Sequence, residues 1–143
     1  MIELRTPTQI EQMRPAGRFV ASVIQALSEK AAVGVNLLEL DELAHRMIKD
    51  AGAESCYIDY HPSFGAMPFG KVLCTSVNDA VLHAKPTDQQ LAAGDLLTLD
   101  LAVLLEGVAA DAAISFVVGG EGDAESLALI DTTERALAAG IAA

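Results

Sequence analysis

The sequence predicts an α+β domain with helices packed on one face of an antiparallel sheet. Three observations carry that prediction. Two capped amphipathic stretches open the chain, the apolar period then changes from helical spacing to alternation beyond Ser55, and helical spacing returns near Asp123. At 143 residues the chain suits a single domain spanning 1–143. A chain near this size buries about 70% of the surface it exposes when unfolded.

Thr6 caps the first helix, with Pro7 in its first position and Gln9 completing a capping box. Apolar residues then recur at Ile10, Met13, Gly17, Val20, Ile24, Leu27 and Ala31, a single stripe. Pro15 removes one backbone hydrogen bond inside it and predicts a kink or a restart near Met13. Gly34 interrupts the chain. Asn36 and Glu39 open a second helix with Leu40, Leu43, Ala44, Met47, Ile48 and Ala51 on its inner face, and Gly52 stops it. SCYIDY then reads as a short strand, HPSFGAMPFG as a loop, and KVLCTSV as a strand turned by Asn78-Asp79 into AVLHA. After the polar bend KPTDQQLAAGD come the strands LLTLDLAVLL and VAADAAISFVV, joined through Glu106-Gly107. The last helix, marked by Leu127, Ile130, Ala136, Leu137 and Ile141, has no closing cap, so the chain reads as cut within a running helix.

Composition excludes several classes. Nine Lys and Arg against 20 Asp and Glu give a formal net charge of −11, which opposes binding to nucleic acid or to an anionic membrane surface. No stretch approaches the roughly 20 apolar residues of a membrane span. The polar N-terminus lacks a secretory core, so Cys56 and Cys74 are expected as reduced thiols in a cytoplasm.

Asp100 and Asp111 stand inside segments that otherwise read as apolar strand, where an unpaired carboxylate is costly. A two-residue turn centred on Leu105-Glu106 sets them directly opposite; one centred on Glu106-Gly107 sets them diagonally on the same face. Their neighbours on that face are Thr98, Ala102, Ala109, Ala113 and Ser115, a shallow cup of small residues, while Leu97, Leu99, Leu101, Val103, Ile114, Phe116 and Val118 line the other face. Two adjacent carboxylates share a proton or hold cations, and oxygen donors suit hard or borderline divalent metals. The plainer alternative pairs Asp100 with an Arg or Lys and has Asp111 capping the turn.

The opening TPTQIEQMRPAGR, the segment SCYIDYHPSFG, the run SVNDAVLH and two aspartates eleven apart together resemble the N-terminal half of a type I methionine aminopeptidase, over essentially the whole chain. The resemblance implies half of a pita-bread fold, in which two related halves enclose a dinuclear site for divalent metal ions (Mn, Co, Fe or Zn). It implies that Asp100 and Asp111 are two of the metal ligands. A His and two Glu complete the set from a second half that this chain does not reach. His83 resembles the family histidine that contacts the substrate amine. Cys56, Tyr60, Phe64 and Cys74 match positions lining a methionine pocket, and His61 one at its mouth. A thioether suits a soft slot with aromatic walls. Two departures stand out: His83-Ala84-Lys85-Pro86 replaces His-Gly-small-Pro, adding a cation, and Gly107-Val108-Ala109-Ala110-Asp111 lacks a preceding His-Gly.

Each candidate also has a structural reading: His61 as a backbone hydrogen-bonder, the two cysteines as small buried hydrophobes, Glu125 and Glu134 as solvated helix charges. The expected activity is removal of an initiator Met from peptides, inactive in this half alone. The expected partners are N-terminal Met peptides, with a second-half chain or a second copy in a homodimer completing the site. The alternative is a silent half-pita-bread module that binds metal or peptide without hydrolysis.

Overall fold

The computed structural model describes residues 4–61, 63 and 67–143. Its elements run α1 (Pro7–Lys30), α2 (Leu37–Asp50), β1 (Glu54–Ser55), β2 (Cys74–Val77), β3 (Leu96–Leu105), β4 (Val108–Val117) and α3 (Ala124–Ala142). All strand pairs are antiparallel. A strand has two edges. β4 occupies one edge of β3 along its whole length, so β1 and β2 share the other, end to end.

Helices α1 and α2 cover one face of this sheet. Both begin with the expected capping boxes, Thr6 with Gln9 and Asn36 with Glu39. Val20, Val23, Ile24 and Leu27 of α1 and Leu37, Leu40, Ala44 and Ile48 of α2 close on Leu97, Leu99, Leu101 and Val103 of β3. The restart near Met13 expected from Pro15 does not occur, and α1 is one 24-residue helix. Residues 7–15 are all exposed, so water can take the Glu11 carbonyl that Pro15 leaves without a donor. Ile10 and Met13, on the expected stripe, stand in solvent for the same reason.

Two strands are shorter than alternation implies, each for a local reason. Chain pairing from SCYIDY stops after Cys56, whose N–H donates to the Ala102 carbonyl. The Ser55 hydroxyl oxygen accepts from the amides of Tyr57 and Ile58 and folds the chain into a turn. KVLCTSV begins pairing only at Cys74, because the amides of Val72 and Leu73 donate to the buried carboxylate of Asp41, at 2.9 and 3.3 Å. Lys71 completes that cluster with an ion pair to Asp41 at 3.2 Å.

Helix α3 is capped by Asp123 and buries none of its residues. It touches β4, while Leu127, Leu129, Leu137 and Ile141 remain exposed.

Asp41 thus ties α2 to the start of β2. Asp41→Ala strands two amides and the Lys71 ammonium, and is expected to cost on the order of 3 kcal/mol in urea unfolding. Asp41→Asn, which keeps one acceptor, is expected to cost less; equal losses would assign the effect to packing.

Candidate functional site

The hairpin turn fixes the geometry of the carboxylates. Glu106 and Gly107 have φ of 51° and 78°, the paired positive values of a type I′ hairpin turn. Leu105 is therefore paired with Val108, Asp100 with Ala113 and Ala102 with Asp111. Asp100 and Asp111 sit diagonally on one face, as the Glu106-Gly107 turn requires. The Thr98 and Ser115 hydroxyls, 2.8 Å apart, mark the same face.

Burial, then the negative charge of Asp100, then a side-chain interaction with Asp100 push Asp111 above the usual carboxylate range; the His83 imidazole pulls the other way. The Tyr57 hydroxyl donates to Asp100 Oδ1 at 2.8 Å. Among the described residues no Lys or Arg pairs with either aspartate. Asp111 lies four residues beyond Gly107, along β4 rather than in the turn. The plainer reading of the pair therefore has no support in the geometry.

The remaining candidates distribute unevenly. Cys74 is paired with Asp100 across β2 and β3 and is buried. Burial, Asp100 and Asp111 push its thiol up to about 12. Cys56, exposed, follows at the end of β1, and burial, Asp111 and Glu54 raise its thiol as well. Neither is a thiolate nucleophile at neutral pH. His83 is exposed in the segment returning beside β2, with φ of 55°, and the next residue holds that segment through Thr75 N–H to the Ala84 carbonyl at 2.8 Å. Tyr60 is 59% exposed and belongs to the turn after β1, and His61 is exposed beside it. Phe64 lies outside the described residues. Lys85, the added cation, rests 5.1 Å from the centroid of the Phe69 ring and donates to the Pro68 carbonyl.

Sequence reasoning missed Tyr57. Strand alternation through SCYIDY places Tyr57 on the helix-facing side with Ser55; the Ser55 turn ends the strand first and swings the phenol to the carboxylates. The signal available was Ser55 itself, a turn-forming hydroxyl two residues ahead.

Two carboxylates set diagonally on one face, one resisting ionisation, form an oxygen donor set that a divalent cation would relieve of its repulsion. The pair suits a metal ion in kind. Among the described residues no group of three His, Cys, Asp or Glu side chains is arranged to hold one.

Comparison with known proteins shows the family and the fold. The family model of Metallopeptidase family M24 matches residues 11–143. Methionine aminopeptidase 1 of Mycobacterium tuberculosis is 38% identical over 100% of this chain and 52% of its own length. The crystal structure of methionine aminopeptidase from Rickettsia prowazekii superimposes with a TM-score of 0.85 at 29% identity, over 95% of this chain and 52% of that one. A prolidase from Pyrococcus horikoshii shares the fold at a TM-score of 0.67 and 19% identity, over 86% of this chain and 32% of its own. The chain spans about half the length of these curated methionine aminopeptidases.

The raised Asp111 sets a pH dependence. Folded Asp111 keeps its proton to higher pH than unfolded Asp111, so the metal-free chain loses stability as pH rises from the ordinary Asp value through the raised one. In EDTA at neutral pH, Asp111→Asn is expected to melt higher than the wild-type chain. The gain should vanish once the pH falls below both values; a variant that melts lower at neutral pH contradicts the assignment.

Proposed function

From the premise that this chain belongs to metallopeptidase family M24, we propose that it supplies the aspartate half of a methionine aminopeptidase site, removing an N-terminal Met from peptides once a second segment completes the ligand set. The observation that carries this reading is the Asp100–Asp111 pair, set diagonally on the small-residue face of the hairpin. M24 methionine aminopeptidases are divalent metal enzymes, and Asp100 and Asp111 would hold the ion here. A divalent ion in such a site acts as a Lewis acid toward the scissile carbonyl and lowers the pKa of water.

The chain's own residues would then orient the substrate. His83, beside Asp111 in the segment returning along β2, is placed to meet the peptide amine. Cys74 and Cys56, kept as neutral thiols by burial and then by the neighbouring carboxylates, line a slot suited to a thioether, and Phe69 closes its aromatic side. Free thiols at both positions suit a reducing cytoplasm.

Calorimetric titration with Mn²⁺ or Co²⁺ tests the site: the wild-type chain binds, and Asp100→Ala and Asp111→Ala each weaken binding by at least about tenfold. Met release from a Met-Ala-Ser peptide should be negligible with this chain alone and appear when a second-half chain is added. Robust release by the isolated chain would overturn the division of the site.

A second reading, a homodimeric module that binds without hydrolysis, is favoured by α3, whose apolar residues are exposed, and by β4, whose outer edge pairs with no strand among the described residues. Light scattering after size exclusion separates the two. A monomeric chain at micromolar concentration removes the homodimer; a stable dimer that binds Mn²⁺ and releases no Met favours it.

A further inference from the structure

Asp100 is held by a side chain from the turn after β1. The Tyr57 hydroxyl donates to its Oδ1 at 2.8 Å, and the Tyr57 ring stands edge-on to Phe69, with centroids 6.0 Å apart and planes at 73°. Phe69 is fixed in turn. Its N–H donates to the Tyr60 carbonyl, the next N–H, of Gly70, donates to the Ile58 carbonyl, and Lys85 lies over the Phe69 ring while binding the Pro68 carbonyl. At the other end, the Ser55 hydroxyl accepts from the Tyr57 amide. The phenol therefore arrives at Asp100 from a loop closed on itself, with its backbone and its ring both constrained.

We infer that Tyr57 is the positioning residue of the metal carboxylate. Its hydroxyl locks the Asp100 side chain in the rotamer that faces Asp111 and consumes one lone pair, leaving the others for Asp111 and a divalent cation. An ionised carboxylate has about four acceptor sites and, with no partner but water, turns freely among them. A hydrogen bond fixed from behind removes that freedom before an ion arrives, as second-shell donors do for metal ligands elsewhere. The same hydroxyl links the carboxylate to Phe69, so the aromatic side of the slot and the ligand are set by one side chain. Lys85 extends that link, which gives the departure from His-Gly-small-Pro a structural purpose: it clamps the loop that carries Phe69. This inference rests on the proposed metal reading and adds a residue to it.

Tyr57→Phe isolates the hydroxyl, because the ring and its contact with Phe69 remain. Titrating wild-type and Tyr57→Phe chains with Mn²⁺, the expected result is a Kd weakened about 10–100-fold with an unchanged melting temperature in EDTA. A purely structural tyrosine would lower the melting temperature and leave the Kd of the folded chain alone, and that outcome overturns the inference. Equal Kd and equal melting temperature overturn it too. If the wild-type chain takes up no Mn²⁺, the metal reading fails and the inference fails with it, whereas wild-type binding that Tyr57→Phe matches sinks the inference alone.

A metal-free readout tests the hydrogen bond directly. The chain has no Trp and two Tyr, so in a Tyr60→Phe background Tyr57 is the sole emitter. A phenol donating to a carboxylate is quenched by excited-state proton transfer. Asp100→Ala should therefore raise its emission, and unchanged emission would show that Tyr57 does not hold Asp100.

Discussion

Register across the β3–β4 hairpin governs whether Asp100 and Asp111 can act together. Side chains alternate along a strand, so a shift of one residue in the pairing would send one carboxylate to the helix-packed face and leave the other alone. The Glu106-Gly107 turn prevents this. Both residues adopt positive φ, a conformation Gly107 takes freely and Glu106 tolerates as an exposed turn residue, and the tight turn leaves one pairing available. The leucines of β3 enforce the same register from below, because a slip would lift Leu97, Leu99, Leu101 and Val103 out of the core. Turn chemistry and hydrophobic burial agree, and the price is a repulsive acid pair on the open face.

The rest of the site is arranged by polar groups that stop strands early. Asp41 takes the amides of Val72 and Leu73, which would otherwise extend β2, and so sets where Cys74 meets Asp100. Ser55 does the equivalent for β1 and turns Tyr57 toward the carboxylates. Between these two stops lies the aromatic loop. Beyond β2, Asn78 at φ of 53° reverses the chain, its side chain bonding Asp95 and the Leu96 amide, so the segment with His83 returns along the free side of β2. Four side chains with no part in the proposed chemistry thus determine what surrounds it.

Much of this was legible in the residues, and the reasons differ by element. Both capping boxes and the two helices follow from short-range rules in which the partner lies three residues away, and they match the structure. The face shared by Asp100 and Asp111 follows from period two and a turn of two residues. Tyr57 and Asp41 were not legible, because each acts across the chain: the first reaches Asp100, 43 residues on, and the second reaches Val72, 31 residues on. The burial of α1 was overread at its first turns, since periodicity shows which face is apolar and not how far the sheet beneath it extends. The exposed stripe of α3 has the same origin: the pattern calls for a partner, and among the described residues β4 is the element that α3 touches most.

The claim on which the account stands is that Asp100 and Asp111 would together hold divalent metal. A crystal of this chain soaked in Mn²⁺ and measured at the manganese absorption edge tests it most directly. The account predicts an anomalous peak bridging the Asp100 and Asp111 carboxylates, with the Tyr57 hydroxyl still on Asp100. Carboxylates free of any peak, with the ion bound elsewhere or absent at saturating Mn²⁺, would contradict it.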